Sequence, residues 1–92
     1  MSSPIRCEYS VPGTKYEIEV DLKKWDCNKE PAHCHVTDCG RRIAQVWLSS
    51  CLFEDTPRNV SFADQRRILD RVAEKKYELQ NAYEHNRVYG AD

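Results

Sequence analysis

Apolar and polar residues alternate along the first half of the chain. Ile5, Cys7, Tyr9 and Val11 fall on one side of an extended segment, and Arg6, Glu8 and Ser10 on the other. A period of two belongs to a strand with one buried face. Pro12-Gly13 interrupts the pattern with a turn. It resumes over 14–22, with Tyr16, Ile18, Val20 and Leu22 against Lys15, Glu17, Glu19 and Asp21. The two segments predict a β-hairpin. Residues 23–31 are polar and turn-like. Residues 32–37 alternate again, with Ala32, Cys34 and Val36 opposite His33, His35 and Thr37. Asp38-Cys39-Gly40 predicts a tight turn in which glycine takes a positive φ. Residues 41–48 predict a fourth strand, apolar on parts of both faces and therefore central or covered.

The second half changes period. Residues 49–60 are irregular. Ser61-Phe62-Ala63-Asp64 has the form of a capping box. The helix it opens is expected over about 61–87, with an apolar stripe of Ile68, Leu69, Val72, Leu79 and Tyr83 that Lys75 and Lys76 interrupt. Gly90 lies past its end. The expected fold is α+β: an antiparallel four-stranded meander over 5–49, packed by one long C-terminal helix. Residues 1–92 suffice for a single domain. One helix covers one face of a sheet, which leaves the other face for a ligand, a metal or a partner.

Composition narrows the class. At 40% hydrophobic and 32% charged residues the chain is expected to fold rather than stay disordered. No apolar run approaches the ~18 residues of a membrane span. Met1-Ser2-Ser3-Pro4 leads into a charged segment with no apolar leader core. The expectation is a cytoplasmic protein that does not engage a membrane. A net charge of −1 argues against nucleic acid as the partner. Arg66, Arg67, Arg71, Lys75 and Lys76 interleave with Asp64, Asp70, Glu74 and Glu78, as on a solvated, salt-bridged helix face. Five cysteines, an odd number without a secretion signal, read as reduced thiols or metal ligands rather than a disulfide framework.

The chemistry is concentrated in residues 25–42. His33 and His35 stand two apart on a strand, so both imidazoles leave the same face with Cα atoms ~7 Å apart. Cys27 precedes them across a loop and Cys39 follows them in the turn. Cys27, His33, His35 and Cys39 would give Zn²⁺ a tetrahedral N2S2 shell. Cys34 points the other way, into the core beside Cys7. The plainer alternative is a strand that happens to carry two solvent-facing histidines, with the cysteines serving as small hydrophobes. His85, near the helix C-terminus, reads as a surface residue favoured by the helix dipole; its sharper reading is a further ligand folding back to the sheet. Arg41 or Arg42 could bind phosphate beside the histidines, although such a doublet more often serves solubility. One tryptophan of Trp25 and Trp47 is expected in the core, and Trp25 is the better candidate for a partner surface.

Pro31-Ala32-His33-Cys34-His35-Val36 resembles the P-P-H-x-H-V signature of a family of small bacterial proteins of unknown function, with Ala32 in place of the second proline. Its members are often encoded on mobile elements and in toxin–antitoxin-like gene pairs. The order of strands, histidine signature, turn, strand and charged helix is similar over roughly residues 9–87. The resemblance implies a compact regulatory or inhibitory protein and names no reaction. Three functions follow for test. The first is a non-catalytic zinc-binding protein that inhibits or regulates a protein partner, as antitoxins and phage-encoded anti-CRISPR inhibitors do. The second is a metal- or histidine-dependent nuclease-like toxin, with His33 and His35 as acid and base or as ligands and Arg41 on the phosphate. The third is a nucleic-acid-binding regulator, which the net charge disfavours.

Overall fold

A computed structural model describes residues 3–28 and 31–92. Met1, Ser2, Lys29 and Glu30 lie outside it, the last two within the expected 23–31 loop. The fold is α+β, built on a five-stranded antiparallel sheet in simple sequential order. The strands are β1 (Glu8–Ser10), β2 (Tyr16–Glu19), β3 (His33–Asp38), β4 (Arg41–Trp47) and β5 (Leu52–Phe53). Four of them fall where the alternation places them. The fifth is a correction to the expected four. It is two residues long, too short to show a period, and it pairs Leu52 with Trp47 and Phe53 with Val46.

The register sorts the side chains into two faces. Tyr9 pairs with Ile18, Ile18 with Val36, and Val36 with Ala44. On the opposite face Glu19 pairs with His35, and His35 with Gln45. The β3–β4 turn has Cys39 at φ 52 and Gly40 at φ 81. Two consecutive left-handed residues match the right-handed twist of a hairpin, and glycine meets this requirement without a Cβ penalty.

The expected single helix is two helices, α1 (Phe62–Glu74) and α2 (Lys76–Tyr89), divided at Lys75. The division falls where Lys75 and Lys76 interrupt the apolar stripe. Ser61 caps α1 as its sequence predicts, its hydroxyl accepting the Asp64 amide proton at 3.1 Å. Helix α1 packs on β2, and α2 on β3 and the Asp26–Asn28 turn. Ile18, Val36, Val46, Ile68, Val72 and Leu79 are fully buried in one core. Truncating any of them to alanine is expected to cost about 2–5 kcal/mol where the side chain is Leu or Ile. Cys34 and Cys7 lie in that core.

The far face is not left open along its whole length. Residues His33 to Thr37 of β3 are all buried, so the strand is covered on both sides. Asp26 and Cys27, in a one-turn 3-10 helix, are also buried. The end of α2 holds this turn in place. Arg87 O and Lys24 O both accept from Asn28 Nδ2 at 2.9 Å, and Ala91 exchanges backbone hydrogen bonds of 2.8 Å with Leu22 and Lys24. Gly90 permits this approach, because a Cβ there would lie 2.6 Å from Lys24 N, 2.8 Å from Leu22 O, and closer still to Asn86 O.

Candidate metal centre

Strand alternation sets the imidazoles of His33 and His35 side by side, ring centroids 5.2 Å apart and nearly perpendicular. Trp47, the register partner of His33, and Tyr83 of α2 meet the His33 ring edge-on at 6.1 and 5.5 Å. The 3-10 turn then lays Asp26 across the pair. Its Oδ2 lies 3.2 Å from His33 Nε2 and 3.2 Å from His35 Nε2. All three side chains are secluded, with 6% of Asp26, 4% of His33 and 7% of His35 exposed.

The proton inventory of this cluster is informative. His33 Nδ1 lies 3.1 Å from the carbonyl oxygen of Pro31. A carbonyl only accepts, so Nδ1 must carry a proton for that bond to form. A neutral His33 then presents a bare lone pair at Nε2, toward an oxygen that also only accepts when Asp26 is ionised. The contact becomes favourable if one further positive centre lies there, either a second proton or a metal ion. Metal-bound histidines characteristically donate their other N–H to a carbonyl in this way. Burial holds the pKa of His35 below its ordinary value; the charge of Arg42 and of His33 works in the same direction, and the bond to Asp26 opposes it. A neutral imidazole is the form that ligates a metal.

The dimensions suit a small ion. Asp26, His33 and His35 each offer one ligand atom, and the three lie within 4.8 Å of one another. A tetrahedron with bonds of ~2.05 Å, as at zinc, has edges of about 3.3 Å, close to the two 3.2 Å separations. Two nitrogens and one oxygen also satisfy zinc's borderline-soft character.

No family model matches the chain, and no curated protein or solved structure matches it. The resemblance at residues 31–36 therefore stands on the motif alone.

Of the four residues expected to share a metal, the structure brings His33 and His35 together and leaves Cys27 and Cys39 outside their group. The Cys27 thiol turns away and donates to Asp21 O at 3.5 Å. Burial, with the nearby Asp26 and Asp21 charges, pushes its pKa up to about 12. Cys39 is exposed at the tip of the β3–β4 hairpin, four residues beyond His35 and so ~13 Å along the strand. Asp26 is the candidate ligand that spacing and softness did not select. It stands beside Cys27 in sequence, and only the 3-10 turn determines which of the two side chains faces the histidines. Arg42 is taken up by Asp21 at 2.6 Å, and Arg41 is exposed on the hairpin. His85 lies elsewhere, its Nε2 donating to Ser3 O at 2.8 Å. Trp25 is 54% exposed, immediately before Asp26.

Proposed function

We propose that the protein binds one divalent transition ion, zinc by preference, through Asp26, His33 and His35, and that the ion fastens the Asp26–Asn28 turn to the sheet. The observation that carries this reading is His33: its Nδ1 faces a carbonyl while its Nε2 converges with His35 Nε2 on a single carboxylate oxygen. The fastened surface, with exposed Trp25 beside it, is then what a protein partner contacts. Seclusion of all three ligands supports a structural ion rather than a catalytic one. On this reading the protein is a small non-catalytic inhibitor or regulator, in keeping with the motif resemblance.

The test is hydrogen exchange with and without zinc. Zinc is expected to slow exchange at the amides of residues 21–28 and 32–35, and not in α1. Unchanged exchange at those amides contradicts the proposal.

One observation favours a second reading, a metal-dependent hydrolase. Three protein ligands leave zinc a fourth position, and His35 borders a surface depression of about 450 Å³ that Arg42, Arg58, Glu54 and Asp55 also line. Zinc-dependent cleavage of single-stranded RNA or DNA that His35→Ala abolishes would favour this reading over the first.

A further inference from the structure

A second groove, of about 560 Å³, runs between the β3–β4 hairpin and the 57–60 segment. Lys15, Arg41, Arg42 and Arg58 line it, against one carboxylate, Asp38. Four cations less one acid make +3, and Asp21 and Glu19, which both hold Arg42, reduce this to +1. The whole chain carries −1, and the surplus of the groove rests on Arg41 and Arg58. Lys15 pairs with Asp38 at 3.3 Å. Arg41 and Arg58 have no ion-pair partner among the described residues.

The groove is fixed in shape. Arg41 follows the tight Cys39-Gly40 turn at the start of β4. Arg58 sits on a segment whose Pro57 and Val60 are buried, with the Val60 carbonyl accepting from Gln65 at 2.9 Å. Buried Tyr16 and half-buried Ile43 supply apolar lining. The guanidinium fork matches phosphate oxygens in pairs. The volume falls in the range of small-molecule sites, and the chain's overall charge disfavours a long polyanion.

We infer that this groove is a binding site for a small phosphorylated molecule, held by Arg41 and Arg58 with Lys15 in support. The site does not depend on the Asp26–His33–His35 ion, so it is tested on protein freed of metal with EDTA. The probe is inorganic pyrophosphate, followed by amide NMR shifts. Saturable shifts are expected at residues 41, 42 and 58. Arg41→Ala and Arg58→Ala are each expected to weaken binding about tenfold or more, while Arg66→Ala, which removes the same charge outside the groove, leaves it unchanged. All three positions are exposed, so the variants retain the fold. A nucleoside diphosphate that binds more tightly than pyrophosphate identifies a nucleotide as the source of the phosphate; equal or weaker binding identifies the free anion. Absence of shifts at the groove, an equal loss in Arg66→Ala, or binding of a single-stranded oligonucleotide but not of pyrophosphate would overturn the inference.

Discussion

His33 Nε2 stands 3.2 Å from Asp26 Oδ2, seven residues back along the chain, while the opposite nitrogen of the same ring faces a backbone carbonyl. The ring is thus oriented by its outer bond before any ion arrives, the arrangement that fixes tautomer and aim in metal-binding histidines. In zinc-bound protein His33 is expected to carry its proton on Nδ1 and none on Nε2. Long-range proton–nitrogen NMR spectra distinguish the tautomers. A protonated Nε2 on His33 in the presence of zinc would refute the ligand assignment.

Asn86 ties two distant pieces of chain to α2. Its amide donates to Ile5 O and Asp21 O at 3.0 Å and accepts from Ile5 N at 2.8 Å, all from a fully buried position on α2. Asn86→Ala takes their partner from Ile5 N and Ile5 O and leaves Asp21 O with the Cys27 thiol alone. A loss of about 3 kcal/mol is expected by urea denaturation. A change below about 0.5 kcal/mol, the usual range for surface positions, would mean that these bonds do not anchor the N-terminal segment.

Asp21 and Arg42 predict an acid limb. Burial pushes the Asp21 carboxyl up, but the Lys23 amide, the Arg42 guanidinium and His35 together outweigh it, and its pKa lies below the usual 3.8. A depressed carboxylate contributes stability that is complete above its unfolded value and is lost as the pH falls through the folded one. Asp21→Asn is expected to lower stability at pH 7 by about 2 kcal/mol and to flatten the decline below pH 4, read by denaturation at stepped pH. A variant that keeps the steep acid limb would assign that limb to another group.

Thr37 is 1% exposed, and its hydroxyl has no hydrogen-bond partner among the described residues. Valine keeps the β-branched shape and removes the desolvated hydroxyl. Thr37→Val is expected to raise stability by about 1 kcal/mol in a thermal or urea melt. Destabilisation would show that the hydroxyl is satisfied in solution.

The strands, the tight turn and the helix start were legible because each has a local cause: alternation at Ile18 and Val36, left-handed geometry at Cys39-Gly40, a side-chain cap at Ser61. Strand β5 was not, because Leu52 and Phe53 are too few to carry a period. The helix division at Lys75 left only an interruption of the stripe as its trace. At the candidate centre the two histidines were legible from their spacing. Asp26 was not, because its role is set by contacts from far along the chain. Asn28 is held by Arg87, and Leu22 and Lys24 by Ala91. Softness pointed to Cys27, and tertiary packing turned its neighbour Asp26 to the histidines instead.

Elemental analysis of purified, untagged protein tests the central claim most directly, run on the native chain with Asp26→Ala, His35→Ala and Cys39→Ser. The account predicts one zinc per chain in the native protein and in Cys39→Ser, and its loss in Asp26→Ala and His35→Ala. Metal-free native protein that takes up no added zinc, or zinc that survives in Asp26→Ala and disappears in Cys39→Ser, would contradict it.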